Sequence, residues 1–460
     1  MLRTLPGLAA AAALAAAVAT GCGERGSAAS PIQVPHEPAP ALEVVDGDTG
    51  APVQALVSAI GQGAQVVRLL TTPGGRTVLP EGVRSVRARA AGYSVGRADI
   101  GPGGGRVAMY REALQSPEYG GGPQRTRYLP SVKLPLPRAR PTWRFDAPTL
   151  IEFPPAVRNG LVVFGINSGR VYALNAEDGS VRWAKRQRGE IASTPAISAG
   201  HVYVSSMDGR LTSYRAADGE ELWSFSTGGS PIESSPLVFG ERVIVGAWNG
   251  TLYSVDARTG RAAWTYRGAG DIKSSAALAG DLLVFGDYGG RVHGVDAATG
   301  EGRWIWSGGS RFYGGAAISH GLAVIGDVGG QVLALDAATG QERWRHAVGG
   351  YVYSSPAVAR ETVFIGSYSG RFEALELSTG VLRWSFDAGE RISGSATVIG
   401  DTVYTSVLSR PGTPRRTFAL ATRDGRLRWK NADGRYSPAV GAGRTLYIVG
   451  TSTLYAYAAP

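Results

Sequence analysis

A thirteen-residue phrase that returns along the chain is the feature that most constrains its fold. Residues 171–183 read VYALNAEDGSVRW, and Gly179 stands four residues before Trp183. Further copies keep a glycine at that distance before a tryptophan, and they end at Trp223, Trp264, Trp304, Trp344, Trp384 and Trp429. Successive glycines are 40 or 41 residues apart, and 45 at the last step. A period this regular indicates a repeat architecture.

The content of each repeat predicts an all-β fold. Every unit reads as four short strands separated by turn residues, and no helical period of apolar residues is present. Four antiparallel strands at a period near 40 residues are typical of one blade of a β-propeller.

The two ends of the repeat region predict how the ring closes. Trp143 stands 40 residues before Trp183 but has no hairpin in front of it, whereas residues 437–457 supply three strands with no tryptophan strand after them. Residues 141–460 divide into eight units of 40. We therefore expect an eight-bladed propeller whose last blade takes its outer strand, Thr142 to Phe145, from the N-terminal side, so that no sheet edge is left open.

The N-terminus predicts export and a lipid anchor. Arg3 precedes an apolar run of 11 residues, Leu8 to Val18, which suits a signal peptide over residues 1–21 and is too short to span a bilayer. Cys22, the only cysteine, follows directly and resembles the lipidated cysteine of a bacterial lipobox. The alternative is an ordinary cleaved signal with an incidental cysteine. Residues 22–40, rich in Ala, Ser, Pro and Gly, then form a flexible tether on the extracytoplasmic side.

Residues 41–113 predict a separate small β-sandwich, because alternating strands are joined by Gly, Asp and Pro turns. The stretch Leu42 to Tyr110 resembles the carboxypeptidase regulatory-like family in three short motifs: Asp48 to Gly50 with Pro52, Leu79-Pro80, and Ala91 to Tyr93. That resemblance implies a non-catalytic spacer.

Residues 114–140 predict a Pro- and Gly-rich basic linker. From residue 116 onward it carries five basic residues and one acid. We expect an extended connector whose arginines pair with the propeller rim, and a phosphate-binding patch is the alternative. The net charge of the whole chain is +10, but its arginines are scattered through the repeats, so the sequence does not predict a nucleic-acid partner.

From Tyr119 to Pro460 the chain resembles the PQQ-repeat (quinoprotein-like) propellers, both in the tryptophan phrase and in the lead-in Tyr119-Gly120 with Arg125 to Tyr128. Catalytic members typically use a vicinal disulfide, a Ca²⁺ ion and an aspartate base, and one cysteine cannot form such a disulfide. Asp287 and Asp327, in GDYGG and GDVGG, are candidate oxygen ligands, although loop aspartates more commonly cap turns. We therefore predict no cofactor and no metal site.

The combination of a lipidated cysteine, eight blades and no cofactor resembles the BamB-type outer-membrane assembly lipoproteins. That resemblance implies a non-catalytic, membrane-anchored binding or scaffold protein of the bacterial cell envelope, here expected to be a monomer that recognises a protein partner at the channel mouth. A PQQ-dependent dehydrogenase and an envelope sugar or peptide sensor remain as alternatives.

Aligning the repeats on their inner strands predicts the residues of that mouth. In each repeat an apolar residue marks the entry into the inner strand. The residue after it, the residue before it and one residue in the loop between the second and third strands differ in chemistry from repeat to repeat, although the fold alone does not require this. Exposed Tyr, Trp and Arg side chains are typical of protein interfaces, whereas the simpler interpretation is that mixed charges solvate a funnel. The predicted binding surface is Glu152, Glu190, Glu233, Trp248, Asp271, Lys273, Arg311, Tyr313, Tyr351, Tyr353, Arg391 and Arg435, beside the insertion at residues 408–416.

Overall fold

The computed structural model describes residues 40–61, 65–137, 140–408, 415–434, 436 and 439–459. The predicted signal peptide, Cys22, the tether, Arg435 and most of the 408–416 insertion lie outside these residues. Within them the chain is all-β, as predicted, apart from one 3₁₀ turn at Glu112–Leu114. No helix in the described part of the chain has both the length and the apolarity that a bilayer crossing requires.

Residues 41–109 form an N-terminal module of two small sheets around one core. N-sheet A has the order Arg76–Val78, Ala41–Asp46, Gly104–Met109, and its last two strands are parallel. N-sheet B has the order Val66–Leu70, Leu56–Ile60, Ser85–Arg89, Gly96–Asp99. Leu42, Val57 and Val107 are buried between the two sheets.

Eight further sheets, numbered 1 to 8 along the chain, lie in the described residues. Each has an inner strand of three or four residues; the outer strand is longer in sheets 1 to 7 and has four residues in sheet 8. Their strands, from the inside outward, are as follows. Sheet 1 comprises Ala156–Arg158, Leu161–Gly165, Arg170–Asn175 and Val181–Arg186; sheet 2 Ala196–Ser198, His201–Ser205, Arg210–Arg215 and Glu221–Ser226. Sheet 3 comprises Leu237–Phe239, Arg242–Gly246, Thr251–Asp256 and Ala262–Arg267; sheet 4 Ala277–Ala279, Leu282–Gly286, Arg291–Asp296 and Gly302–Ser307. Sheet 5 comprises Ala317–Ser319, Leu322–Gly326, Gln331–Asp336 and Glu342–Ala347; sheet 6 Ala357–Ala359, Thr362–Gly366, Arg371–Glu376 and Leu382–Asp387. Sheet 7 comprises Thr397–Ile399, Thr402–Ser406, Thr417–Ala421 and Leu427–Asn431, with Tyr128–Leu129 added at its inner edge; sheet 8 Ala439–Ala442, Thr445–Val449, Thr453–Ala458 and Trp143–Asp146.

Sheet 8 joins the two ends of the repeat region. Its outer strand, Trp143–Asp146, pairs antiparallel with Thr453–Ala458, and Trp143 lies opposite Ala456. The predicted strand, Thr142 to Phe145, therefore differs from the observed one by a single residue at each end. One apolar cluster then joins sheet 8 to sheet 1 through Trp143, Tyr447 and Phe164.

In the described residues, a hydrogen bond from the repeated tryptophan joins seven of the eight sheets to the next one. Trp183 Nε1 in sheet 1 donates to the Ala216 carbonyl of sheet 2 at 3.0 Å, and Trp143 makes the same bond from sheet 8 to Ala176 of sheet 1. The turn glycine lies beneath the ring: a Cβ on Gly219 would lie 2.7 Å from Trp183. That glycine also has φ of +73°, a backbone conformation that residues with a Cβ rarely adopt. A glycine is therefore needed at each turn on which a tryptophan of the preceding sheet packs.

The segment Ser116–Leu129, here called the strap, crosses the inner edges of the sheets. Backbone N–H groups of Val157, Ile197, Leu278, Ile318, Val358 and Val398, in sheets 1, 2, 4, 5, 6 and 7, donate to its carbonyls at 2.7–2.9 Å. Val238 N in sheet 3 donates to Glu118 Oε2 at 3.4 Å, and Ser116 Oγ donates to Gly441 O in sheet 8. The strap thus gives partners to inner-strand groups that have no further strand beside them.

The arginines of the strap are buried rather than exposed at the rim. Arg125 and Arg127 are 1% and 2% exposed, so the expectation that the arginines of residues 116–140 pair with the propeller rim is wrong for these two. Arg140 is exposed, and Arg138 lies outside the described residues. Arg125 donates to the carbonyls of Ala276, Pro236 and Tyr119 and lies 3.8 Å from Glu118. Burial raises the pKa of Glu118, against the opposing effect of Arg125. A guanidinium can remain buried here because several carbonyls converge on it.

Candidate functional site

A cavity of about 340 Å³ lies among the residues that precede the inner strands of the sheets. Its floor includes Tyr119, whose hydroxyl lies 3.2 Å from Ser355 Oγ and 3.0 Å from Ser395 Oγ. Tyr119 belongs to the strap, so the strap contributes to the lining of the cavity. Its volume is within the range of small-molecule pockets, and it would also hold one large side chain of a protein partner.

The cavity brings together most of the predicted residues that directly follow the apolar strand-entry position. Glu152, Glu233, Lys273, Tyr313 and Tyr353 line it, together with Ser393 at the equivalent position of sheet 7. The alignment suggested that these residues begin the inner strands. They lie ahead of them instead, since the inner strand of sheet 1 starts at Ala156, four residues after Glu152. Ahead of the inner strands, a side-chain hydroxyl from the neighbouring repeat takes the place of a strand carbonyl as acceptor: Ser235 N donates to Ser275 Oγ at 2.9 Å.

The predicted residues that directly precede the apolar strand-entry position lie around the opening and do not line the cavity. The carbonyls of Glu190, Asp271, Arg311, Tyr351 and Arg391 each accept a backbone N–H from the loop between the second and third strands of the same sheet, at 2.6–2.9 Å. Their side chains are therefore carried on a fixed backbone, and Tyr351 is 56% exposed. We call this set the rim.

Glu233 is the hub of the polar contacts in the cavity. Its Oε1 accepts from the Tyr313 hydroxyl, its Oε2 accepts from Trp248 Nε1 at 3.1 Å, and Lys273 Nζ lies 3.9 Å from Oε2. Burial, reinforced by the Glu233 charge, raises the pKa of Tyr313 well above its ordinary value. Tyr313 therefore stays protonated and remains a donor to Glu233.

Lys273 lies against aromatic faces. Its Nζ is 3.6 Å from the ring centroid of Trp248 and 4.6 Å from that of Tyr288. Arg311 and Arg391 make longer contacts of the same kind, at 5.9 Å from Tyr288 and 5.5 Å from Tyr368. These cation–π contacts hold long basic side chains in defined positions beside the opening.

A tyrosine cluster forms one wall and part of the rim. The centroid of Tyr353 is 5.2 Å from that of Tyr313, 4.8 Å from Tyr368 and 6.4 Å from Tyr351. Edge-to-face and tilted arrangements of this kind are favoured geometries for aromatic pairs. Tyrosines offer a large amphipathic contact area at low cost in side-chain entropy, which suits recognition.

Sequence reasoning missed Tyr288, Tyr368 and Tyr119. The first two occupy the loop position that Trp248 holds in its own repeat, in GDYGG, GSYSG and GAWNG. Aligning these loops as well as the inner strands would have found them. Tyr119 lies outside the repeats, so no periodic signal marked it.

The candidate oxygen ligands act within turns. Asp287 accepts from Ala269 N at 2.7 Å and contacts His293 Nε2 at 2.8 Å, and Asp327 accepts from Ser310 N and Gln331 N. No group of three or more His, Cys, Asp or Glu side chains with metal-binding geometry occurs in the described residues. Glu233, one of the two carboxylates that line the cavity, is engaged by Tyr313, Trp248 and Lys273.

Comparison with known proteins decides the family. The model of the family described as outer membrane protein assembly factor BamB matches residues 137–235, 227–307 and 302–459. The chain belongs to this family. The match covers the sheets that surround the cavity and leaves out the N-terminal module and the strap.

Individual relatives are more distant. BamB of Nitrosomonas eutropha is 28% identical over 137 residues, which cover 29% of this chain and 33% of that protein. Quinohemoprotein alcohol dehydrogenase ADH-IIG of Pseudomonas putida is 30% identical over 147 residues, 27% of this chain and 20% of that enzyme. The chain spans about a third of the length of the curated BamB relatives that it matches.

Among solved structures, BamB of Moraxella catarrhalis superposes with a TM-score of 0.57 at 17% identity and covers 68% of this chain and 99% of its own. Likeness at this level shows the fold, a β-propeller, and does not by itself assign an activity.

Proposed function

We propose that this chain is a non-catalytic binding or scaffold protein of the bacterial cell envelope, anchored to the membrane through Cys22, whose mouth cavity and rim recognise a protein partner. The observation that carries the proposal is the packed wall of Tyr313, Tyr353 and Tyr368 beside the exposed Tyr351. Tyrosine, tryptophan and arginine at the edge of a pocket are the residue types that most often anchor protein interfaces. Membership of the BamB family supports a partner among envelope proteins.

The proposal includes a domain assignment. Residues 1–21 are a signal peptide, 22–40 a tether, 41–113 a carboxypeptidase regulatory-like β-sandwich, 114–140 a connecting segment and 141–460 one closed eight-bladed ring. The tryptophan bonds that lead from sheet to sheet, including the bond from Trp143 to sheet 1, support the closed ring. The chain is expected to act as a monomer, with its lipid on the extracytoplasmic side.

Capture of the partner tests the proposal. Wild-type protein is compared with R311A/Y351A, which removes two rim side chains, and with the control R343A/V381A, which alters the outer strand and outer turn of sheets 5 and 6. The proposal predicts at least a tenfold loss of captured partner for the rim variant only, because hot-spot residues dominate such interfaces. Equal capture by all three proteins would contradict it.

Anchoring has its own test. C22A should move the protein from the membrane fraction to the soluble fraction or block its processing, because acyl chains supply the attachment. Unchanged membrane association of C22A after a high-salt wash, which screens the attraction between basic side chains and anionic headgroups, would contradict the lipid anchor and would leave the rim hypothesis standing.

A quinone-dependent dehydrogenase is the second candidate, since ADH-IIG is among the relatives. It predicts stoichiometric binding of PQQ in the presence of Ca²⁺, with a quinone absorbance and turnover of alcohols. The scaffold hypothesis predicts neither. A titration followed by absorbance separates the two.

A further inference from the structure

The outer face of N-sheet B carries a block of arginines. Strand register places Leu70, Leu56 and Arg89 in one cross-strand row and Arg68, Ser58, Arg87 and Arg97 in the next. Neighbours on these strands such as Val57, Val86 and Ala88 point the opposite way into the core. Arg68, Arg87, Arg89 and Arg97 therefore lie on one exposed face, and we call it the basic face.

These arginines differ from those on N-sheet A. There Arg76 and Arg106 both lie 3.5 Å from Glu43, so that opposite charges are paired. Within the described residues no carboxylate lies at ion-pair distance from any of the four arginines of the basic face. One acid, Asp99, lies on the same face in the next cross-strand row, opposite Ser85, so four arginines against one carboxylate leave a net positive field that favours an anionic partner.

Exposed apolar side chains lie in the same face. Leu70 is 63% exposed, Val66 56% and Leu56 44%, and the first two belong to the edge strand of N-sheet B. Exposed leucine and valine beside arginine are costly for a purely water-facing surface. They suit a layer in which apolar groups can enter and charged headgroups surround the arginines.

The place of the module in the chain adds an independent argument, which rests on the proposed anchor at Cys22. The first strand begins at Ala41, so fewer than 20 residues separate it from that cysteine. A flexible tether of this length has a root-mean-square span of roughly 25 Å. The module would thus be held close to the surface into which the lipid is inserted.

We propose that the basic face of the N-terminal module binds the anionic headgroups of a phospholipid bilayer, with Leu56, Val66 and Leu70 entering the interfacial layer. The module is then more than a spacer, because it orients the propeller on the membrane. A nucleic acid would also attract the arginines but would gain nothing from the exposed leucines and valine.

The experiment uses the chain from residue 39 onward, which forms one compact unit and lacks the predicted lipid site, so that binding by an acyl chain cannot contribute. Co-sedimentation is measured with vesicles of phosphatidylglycerol and phosphatidylcholine, with phosphatidylcholine alone, and with duplex DNA in place of vesicles. Wild-type protein should bind only the anionic vesicles, and more weakly as salt is raised. R87Q/R97Q should bind about 20-fold more weakly, since each arginine near an anionic surface contributes roughly fivefold.

The matched control is R76Q/R106Q, which removes two arginines from N-sheet A and should change binding by less than a factor of about three. Absence of wild-type binding to anionic vesicles would overturn the proposal. Equal losses in the two variants would also overturn it, and so would binding to DNA without binding to vesicles. None of these results bears on partner capture at the rim, so failure here is distinct from failure of the proposed function.

Discussion

Within the repeat, the contact between a tryptophan of one sheet and a turn glycine of the next sheet stabilises the fold. Gly300 has φ of +80°, and a Cβ there would lie 2.6 Å from the ring of Trp264. Gly280 has φ of +62° with nothing within 4 Å of its Cβ position. Substituting alanine at each position in turn therefore separates two contributions to the free energy of unfolding: the strain of the backbone conformation, and the loss of packing against the tryptophan ring.

G300A should therefore destabilise the protein by about 3 kcal/mol or more and G280A by only about 1 kcal/mol, because only the first displaces a packed ring. Urea unfolding of both variants measures the difference. Equal midpoints would show that the glycines serve the turn alone.

Asp48 predicts a pH dependence. Burial, followed by repulsion from Asp46, raises its pKa from 3.8 to about 6. The folded state thus favours the protonated acid, so the stability contribution is full below pH 4, falls as pH rises through 6 and stays lower above that. D48N should raise the melting temperature at pH 7 and not at pH 4. A gain of the same size at both pH values would contradict this assignment.

At the scale of elements, the strap is held by one fully partnered arginine and one partly partnered arginine. Arg125 donates to several carbonyls, whereas Nε and Nη2 of Arg127 have no hydrogen-bond partner in the described part of the chain. Arg127 lies over the Tyr119 ring at 3.8 Å. The two residues are otherwise alike, since both are buried and both have positive φ.

R125M should cost about 3–5 kcal/mol, because it leaves Glu118 and buried carbonyls without their partner. R127M should cost less, since two of the three guanidinium nitrogens that it removes have no hydrogen-bond partner. Chemical denaturation of both variants provides the measurement. A larger loss for R127M would mean that the strap is held differently.

The same elements show how far sequence reasoning reaches. The period fixed the strands and predicted the cavity residues, because one alignment of equivalent positions locates Glu152, Glu233, Lys273, Tyr313 and Tyr353 together. It did not predict the path of the strap, which belongs to no repeat and whose hydrogen bonds are made to residues tens to hundreds of positions away. Charge alone suggested rim arginines there, because composition does not reveal converging carbonyls.

For the whole molecule, the proposed closed ring depends on Trp143. W143A should cost about 3–5 kcal/mol, because it removes the contact between sheets 8 and 1. W306A should cost less, since Trp306 is only partly buried against its cluster. Thermal unfolding checks both variants, and similar losses would argue against a special role for the closing strand.

The central claim, that the rim meets a protein partner, is tested most directly by site-specific photo-crosslinking in intact cells. A photoreactive phenylalanine replaces Tyr351 on the rim or Val381 at the outer turn of sheet 6, and these residues are 56% and 60% exposed. The account predicts one discrete protein adduct from position 351 and none from position 381. No adduct at 351, or the same adduct from 381, would contradict it.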